Sequence, residues 1–390
     1  MSAAEPLIGV INAGSSSLKF SVYEGETRLL SGQADGLGTR PSIAITDASG
    51  SPIAPPDLGQ PATPSDVLPV ILPWLQERLK PRSLAALGHR VVHGGVHHAR
   101  PAHVTPELLG ELDALVPLAP LHEPHNLAPI RMAAALDPNL PQVACFDTAF
   151  HRTMPEVGQA FGLPYSLYDE GIRRYGFHGL SYEYIVSVLP LHAPEIADRK
   201  VVILHLGNGC SACGVNERKS VATTMGFTAL DGLPMGTRCG AIDPGILLHL
   251  LQQRGMSPDA LADLLYRRSG MLGLSGVSSD FRELLGSSEP RARFALDFFY
   301  YNVGRQIASL AAALGGLDGI VFTAGVGENA AVVRSAICDA CGWLGVDLDE
   351  NANRTHQVRI SRPASRVATL VIKTDENLMI ARHTSALIGA

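Results

Sequence analysis

Three short stretches rich in small residues follow apolar runs and could hold phosphate groups. They are residues 14–17, 207–209 and 325–329. Small residues let an anion approach backbone N–H groups, and Lys19 adds a mobile positive charge directly after the first stretch. None has the G-x-x-x-x-G-K-[ST] spacing of a P-loop or a convincing dinucleotide fingerprint. Each alone could be an ordinary strand-ending turn, but three together favour a nucleotide site.

Two charged residues stand beside buried-strand patterns. Arg90 lies inside the apolar segment 84–92, where an unpaired guanidinium would be costly, so it needs an anionic partner. A substrate anion and a structural ion pair satisfy that need equally well. Asp147 ends the apolar run 141–148, a typical place for a functional carboxylate, although a helix cap or turn would also explain it.

Three further polar residues lie at predicted element boundaries. Arg238 falls between glycines in a predicted loop, His178 between Phe177 and Gly179, and Glu376 before the last predicted helix. Their ordinary alternatives are a solvated surface arginine, a core histidine and a helix cap.

The elements that position these residues alternate between strand and helix. An apolar strand at 7–11, a turn and an alternating strand at 18–23 form a hairpin pattern, and 201–206 with 210–215 repeat it. The repeat predicts an α/β protein with two similar lobes. Since ligands in such folds bind at the carboxyl ends of strands, we expect the polar motifs to form one site.

Prolines and loop residues shape three other expectations. Pro69 and Pro73 fall inside the helical pattern 65–80, which predicts a kinked or broken helix. A helix is predicted over 126–136, and the stretch after Thr148 as far as Gly179 is predicted to be rich in loops.

Composition limits the class of protein. The 390 residues suggest two or three domains, and 46% hydrophobic with 17% charged residues can form a sizeable core. A net charge of −6 argues against a nucleic-acid surface, and no signal peptide or membrane span is evident, so we expect a cytoplasmic protein.

Two C-x-x-C pairs, Cys210/Cys213 and Cys338/Cys341, are interpreted as buried thiols, and the run of histidines at 93–103 as structural rather than a zinc site.

Taken together, the motifs resemble the acetate/butyrate kinase family within the actin–hexokinase–sugar kinase fold. The matching segments are 10–17, 88–95, 146–151, 175–179, 205–209, 231–238, 325–329 and 374–377. They follow one another in family order over nearly the whole chain.

The resemblance implies an architecture. It implies two actin/hexokinase-like (ribonuclease H-like) lobes with a nucleotide cleft between them, one of residues 1–148 and 377–390 and the other of residues 149–376. The second lobe would carry most of the nucleotide site and the interface of a homodimer.

The resemblance also implies a reaction, the Mg²⁺-dependent, reversible transfer of the ATP γ-phosphoryl group to acetate, giving acetyl phosphate and ADP; Mn²⁺ is a plausible substitute. Asn12 and Glu376 would hold the metal, while Arg90, Val92 and Leu121 would contact acetate. Arg90, Asp147, His178 and Arg238 would be catalytic. The nucleotide contacts carried over are Lys19, His205, Leu206, Gly207, Asn208, Gly209, Asp280, Phe281, Arg282, Gly325, Val326, Gly327, Glu328 and Asn329.

Several alternatives stay open at this point. Asp147 is carried over as an acid/base residue, yet acetate is already ionised near neutral pH, so orienting an arginine or a metal-bound water is an equal role. Ala229 replaces a family proline and Glu123 a family asparagine, which affects the preference for acetate over propionate. Propionate or butyrate kinase, and a non-catalytic nucleotide-binding module, are the competing functions.

Overall fold

A computed structural model describes residues 5–14, 16–61, 63–119 and 122–389. Within these residues the strands are Leu7–Ala13 (β1), Leu18–Glu24 (β2), Thr27–Asp35 (β3), Ser42–Asp47 (β4), Pro52–Ile53 (β5), Leu84–Val91 (β6), Ala102–His103 (β7), Gln142–Phe146 (β8), Val201–Leu206 (β9), Cys210–Asn216 (β10), Lys219–Thr223 (β11), Gly319–Thr323 (β12) and Ala368–Val371 (β13).

The α-helices are Pro64–Arg78 (α1), Pro106–Asp113 (α2), Glu123–Leu136 (α3), Glu156–Gln159 (α4), Tyr165–Asp169 (α5), Gly179–His192 (α6), Pro244–Gln252 (α7), Pro258–Arg267 (α8), Gly270–Ser275 (α9), Phe281–Gly286 (α10), Pro290–Leu314 (α11), Ala324–Asn329 (α12), Ala331–Ala340 (α13), Glu350–Arg354 (α14) and Glu376–Ile388 (α15). Short 3₁₀ helices occur at Val116–Leu118, Ala149–Thr153 and Gly342–Leu344. In the described part of the chain, no helix combines the length and apolar character needed to cross a bilayer.

The chain divides into two compact units. Unit 1 runs to Ala149 and resumes at Asp375, and unit 2 is Phe150–Thr374. The boundaries lie within two residues of the lobes drawn from the sequence, and Glu376 belongs to unit 1 rather than to the second lobe.

Unit 1 is built on a mixed sheet in the order β5-β4-β3-β2-β1-β6-β8-β7. β1 pairs antiparallel with β2, and it pairs parallel with β6, which is parallel to β8. Leu18, Phe20 and Val22 of β2 lie in one buried cluster with the apolar side chains of α1. The opposite face is covered by α15, where Asn377 donates to Ser21 Oγ at 3.1 Å.

Unit 2 is built on a second mixed sheet, in the order β11-β10-β9-β12-β13. β9 and β10 form an antiparallel hairpin, and β12 is parallel to both β9 and β13. α6 packs in one cluster with the apolar side chains of β9 and β10. On the other face, a Cβ atom at Gly214 would lie 3.3 Å from Leu314 of α11.

The two sheets share one strand plan. In each, three antiparallel strands continue into two parallel ones, as β3-β2-β1-β6-β8 in unit 1 and β11-β10-β9-β12-β13 in unit 2. The prediction of an α/β fold with two similar halves is confirmed, although in unit 2 the helices α4 to α6 precede the hairpin.

The structure differs from two predictions: α1 is not broken at its internal prolines, and α3 begins earlier than predicted. α1 continues through Pro69 and Pro73, since a Thr63–Asp66 capping box starts it and five buried aliphatic side chains hold it on the sheet. α3 begins at Glu123, three residues earlier than predicted, because Pro124 suits the first turn of a helix. The stretch before Gly179 contains the short helices α4 and α5 among its loops.

Candidate active site

In unit 1 the structure brings Asn12, Arg90, Asp147 and Glu376 together, and we call these four residues the Arg90 cluster. Asn12 is the second-last residue of β1, Arg90 lies on β6, and Asp147 follows β8. Because these strands are parallel neighbours, their carboxyl ends meet at one edge of the sheet. Glu376 is the first residue of α15.

The Arg90 guanidinium is held by Asp147 in a fork. Nε lies 3.0 and 3.2 Å from the two carboxylate oxygens, and Nη2 lies 2.5 Å from Oδ2. The Asp147 side chain is 1% exposed and that of Arg90 is 21% exposed. Burial by itself would lower the pKa of Arg90, but the carboxylates of Asp147 and Glu376 outweigh it and raise that pKa. The guanidinium therefore stays charged and fixed in orientation.

The remaining nitrogen of Arg90 faces two oxygen ligands. Nη1 lies 3.5 Å from Asn12 Oδ1 and 3.6 Å from Glu376 Oε2. The cap of α15 is Asp375, whose carboxylate accepts from the Leu378 amide at 2.9 Å, so Glu376 is not the cap. An amide oxygen and a carboxylate are hard donors of the kind that Mg²⁺ takes, alongside phosphate oxygens and water.

Asn12 and Glu376 would supply only two protein ligands for a metal ion. In the described ranges, no group of three or more His, Cys, Asp or Glu side chains is arranged to hold a metal ion. A site of one carboxylate and one amide oxygen, completed by phosphates, is compatible with that finding because Mg²⁺ rarely uses an all-protein cage.

Three other predicted unit 1 contacts have different outcomes. Lys19 pairs directly with Asn12 across the β1–β2 hairpin, so the two side chains lie on the same face, and Lys19 is exposed. Val92 is buried, and its amide donates to Asn126 Oδ1 at 2.9 Å. Leu121 lies outside the described residues.

In unit 2 two histidines stack beside the turn between β9 and β10. The rings of His178 and His205 are 4.1 Å apart between centroids and 17° from parallel. His178 Nδ1 lies 2.8 Å from Ser211 Oγ, and His205 Nδ1 lies 2.8 Å from Ser181 Oγ. His178 has φ of 60°, a left-handed conformation that is uncommon for a residue with a side chain and recurs at functional sites.

The turn itself is closely approached by His178 and Arg238. A Cβ atom at Gly209 would lie 3.4 Å from His178 Nε2 and 3.8 Å from Arg238 Nη2. Arg238 Nη1 donates to the Ala229 carbonyl at 2.9 Å, and the Gly236 amide donates to the Asn208 carbonyl at 3.1 Å. An imidazole nitrogen and a guanidinium therefore lie beside a glycine turn, a combination suited to phosphate oxygens.

The segment after β12 forms the short helix α12 rather than the glycine-rich turn that the sequence predicted. Ala324, which opens it, has φ of 64°. The Glu328 carboxylate accepts from the Ala324 amide at 2.9 Å and from the Thr374 amide at 3.1 Å. Glu328 thus ties together the chain ends that follow β12 and β13, and Asn329 donates to the Gly325 carbonyl at 2.8 Å.

The predicted contacts at 280–282 are largely engaged within the protein. Asp280 caps α10 through the Arg282 amide at 2.8 Å and also binds the Arg282 guanidinium. Phe281 is buried against Phe299, with centroids 4.7 Å apart. Only the exposed Arg282 side chain extends from this turn.

Sequence reasoning did not identify the residues that hold these groups in place, and it noted Glu123 only as a departure from the family pattern. Ser181 and Ser211 bind the stacked histidines, and Asn126 and Glu123 bind the segment after β6. Asn126 and Glu123 share the first turn of α3, and the only sequence signal was Glu-Pro, an ordinary helix start. Their partners are distant in the sequence, so no local pattern marks them.

Known proteins resemble this chain over nearly its whole length. The pattern that describes the Acetokinase family matches residues 7–382. An acetate kinase of Nitrobacter hamburgensis is 51% identical over 388 residues, covering 97% of this chain and 95% of the relative.

Solved structures give the same result. A Porphyromonas gingivalis acetate kinase superposes with a TM-score of 0.88 at 34% identity, covering 98% of this chain and 100% of the other. A Francisella tularensis propionate kinase gives a TM-score of 0.90 at 35% identity, covering 97% and 98%. The chain belongs to the Acetokinase family.

Proposed function

We propose that this chain is an acetate kinase, which transfers the γ-phosphoryl group of ATP to acetate, reversibly and with Mg²⁺, to give acetyl phosphate and ADP. The observation that carries the proposal is the Arg90 cluster. It presents a partly buried, permanently charged guanidinium beside an amide oxygen and a carboxylate, at the carboxyl ends of parallel strands. That set suits a carboxylate substrate and a hard cation together.

In this proposal Arg90 binds the acetate carboxylate and Asp147 keeps the guanidinium aimed. Free acetate resembles an aspartate or glutamate side chain, with a pKa of about 4 to 5, and needs no base at neutral pH. The barrier comes from bringing two anions together, which a fixed guanidinium lowers. Asp147 orients Arg90 here, and does not accept a proton from the substrate.

Asn12 and Glu376 would hold Mg²⁺, which when bound neutralises charge on the phosphates. Both oxygens lie within 3.6 Å of one nitrogen of Arg90, so the metal ligands and the carboxylate-binding group adjoin within unit 1. Lys19, opposite Asn12 in the hairpin, adds a charge for the nucleotide.

His178 and Arg238 would act on the transferring phosphoryl group. Burial raises the pKa of Tyr182, so its hydroxyl keeps its proton and can donate to Ser211. Ser211 can then donate to His178 Nδ1, which leaves the proton of His178 on Nε2, the atom that faces Gly209. In that tautomer the imidazole would donate from Nε2 to a phosphoryl oxygen.

The nucleotide contacts proposed in unit 2 are those carried over from the sequence. The backbone of residues 205–209 and of α12 would face the nucleotide, and Arg282, 89% exposed, has the reach for a flexible contact. A cytoplasmic location, where ATP is available, accords with the finding that the described cysteines form no disulfide.

A homodimer is part of the same proposal. α7 has no buried residue, and its Ile246 and Leu248 are 48% and 54% exposed. Phe294 and Tyr301 of α11 are 59% and 64% exposed and lie on one helix face. Surfaces this apolar usually mark an interface. Light scattering should therefore give twice the mass of the single chain, which is 41.3 kDa. A monomer at micromolar concentration would contradict this part.

The test of the activity is formation of acyl phosphate, trapped with hydroxylamine, from Mg-ATP and acetate, propionate or butyrate. Acetate should give the highest kcat/KM. Highest kcat/KM with propionate or butyrate would assign the chain to those acids, and no product with any of the three would overturn the enzymatic proposal.

A further inference from the structure

A carboxyl group is buried at the start of α3, close to the Arg90 cluster. Glu123 is 0% exposed. Its Oε2 accepts from the His93 amide at 3.2 Å, while Oε1 has no hydrogen-bond partner among the described residues. A carboxylate with one hydrogen bond and no cation is costly to bury, so this environment favours the protonated acid.

The first turn of α3 holds two segments that carry the site. Asn126 accepts from the Val92 amide at 2.9 Å and donates to the Ala13 carbonyl at 2.8 Å. Together with the Glu123–His93 bond, these contacts fasten the end of β1 beside Asn12 and the segment just after Arg90. Glu123 therefore does not contact the groups proposed to bind carboxylate and metal; it acts on them through the backbone segments that carry them.

The charged and titratable groups around Glu123 also favour its neutral form. The pKa of Glu123 is raised to about 8: burial is the main cause, the His93 amide hydrogen bond opposes it, and Asp147 after β8 and Asp113 of α2 add to it. His93 is neutral, because burial lowers its pKa to about 4 and its Nδ1 accepts from the Gly95 amide at 2.9 Å. Arg90 is already engaged by Asp147.

We propose that Glu123 is a positioning residue for the carboxylate substrate, holding the segment after β6 in its uncharged form and weakening substrate binding when it loses its proton. Ionisation would add a buried negative charge near Asp147, on the side where an anionic substrate must bind. The inference rests on the proposed function, because it presumes that Arg90 binds a carboxylate.

The first experiment uses the wild-type protein. With the pKa of Glu123 about 8, roughly one molecule in ten keeps the proton at pH 9, so KM for acetate should rise about tenfold between pH 7 and pH 9. kcat and KM for Mg-ATP should change less than about twofold. An unchanged KM for acetate over this range would overturn the proposal without any variant.

The second experiment uses Glu123→Gln, which keeps shape and hydrogen bonding but cannot ionise. Its KM for acetate should stay level from pH 7 to pH 9. A rise parallel to that of the wild type would overturn the proposal. Glu111→Gln is the matched control, since Glu111 is an exposed acid of α2 paired with His98, and its profile should follow the wild type.

A third readout is independent of activity. Because the folded pKa of Glu123 lies above its unfolded value, the wild type should lose stability as pH rises from about 4.5 to about 8, and Glu123→Gln should lose less. Equal pH slopes would overturn the assignment of a buried neutral acid. If acetate gave no product at pH 7, the proposed function would fail, while the unfolding experiment would still decide the protonation of Glu123.

Discussion

Replacing Asp147 by asparagine tests whether this carboxylate acts through Arg90. In the wild type Asp147 offers two oxygens to the guanidinium, with contacts of 3.0, 3.2 and 2.5 Å. Asparagine keeps one acceptor oxygen, loses the negative charge and turns an NH₂ group toward N–H donors. The Arg90 guanidinium would lose its forked pairing with the carboxylate and its fixed orientation.

The size of the effect follows from these contacts. A hydrogen bond to a charged group contributes about 1.5 to 3 kcal/mol, and one of the two acceptor oxygens is lost. With 1.4 kcal/mol per tenfold, kcat/KM for acetate should fall about 10- to 150-fold. KM for acetate should rise, because Arg90 is proposed to bind that substrate, while KM for Mg-ATP should change little.

The assay is a coupled measurement of ADP release at saturating Mg-ATP, with circular dichroism to establish folding. Asp198→Asn is the control, since Asp198 forms an exposed ion pair with Arg218 at 2.7 Å, and its kinetics should match the wild type.

A double-mutant cycle separates two roles. If Asp147 acts only through Arg90, then the combination of Asp147→Asn with Arg90→Ala should be no worse than Arg90→Ala alone, within about threefold. A further loss of about 100-fold, typical of a missing acid or base, would refute the orienting role. Near-normal turnover together with a near-normal kcat/KM for acetate in Asp147→Asn, at saturating Mg²⁺, would refute both roles.

Three other variants have defined outcomes. Asn12→Ala should raise the Mg²⁺ concentration needed for half-maximal activity about tenfold, and raise KM for acetate much less, as titrations at fixed ATP would show. Gly209→Ala should lower kcat about tenfold in steady-state assays, because its Cβ, in ordinary contact with His178 at 3.4 Å and Arg238 at 3.8 Å, would fill space beside the two groups proposed to bind the phosphoryl oxygens. Burial lowers the pKa of His151 to about 4, so the free energy of unfolding should fall as pH drops from about 6.5 to about 4. In His151→Gln the slope of the unfolding free energy against pH, measured by urea titration, should be smaller by about 1.4 kcal/mol per pH unit.

Each of these has a matched control. Asn302→Ala changes an exposed amide of α11 and should leave the Mg²⁺ requirement unchanged; an equal shift would argue against a metal role for Asn12. Gly110→Ala places a Cβ in open space on α2 and should leave kcat unchanged. His192→Gln alters an exposed histidine, and an acid slope that it reduces as much as His151→Gln would contradict the burial argument.

Much of the fold was predictable because its signals are local. The apolar runs before residues 12 and 207, each followed by small residues and a second strand, predicted both hairpins. The meeting of Arg90 and Asp147 was predictable in kind, because parallel strands bring their carboxyl ends to one edge. Their direct pairing was not, since a substrate anion and a structural ion pair explain a buried arginine equally well.

The rest depended on tertiary contacts. α1 remains helical through two internal prolines because its apolar face packs on the sheet. Helix propensity scales do not include this packing energy. Glu376 looked like a cap, but the preceding residue, Asp375, takes that role by accepting from the Leu378 amide. The burial of Glu123 was equally hidden, because a glutamate beside a proline at a helix start is usually solvated.

The place of α15 in the chain has a consequence for synthesis on the ribosome. This helix packs on β1 and β6, where a Cβ at Gly88 would lie 2.3 Å from Thr384 Oγ1, yet all of unit 2 is translated before it. At about 5 to 20 residues per second, the sheet of unit 1 waits roughly 10 to 45 s for its second cover. Unit 2 is contiguous and has no such delay, so the half made first is the half completed last, and its uncovered face is the natural place for a chaperone to act during translation.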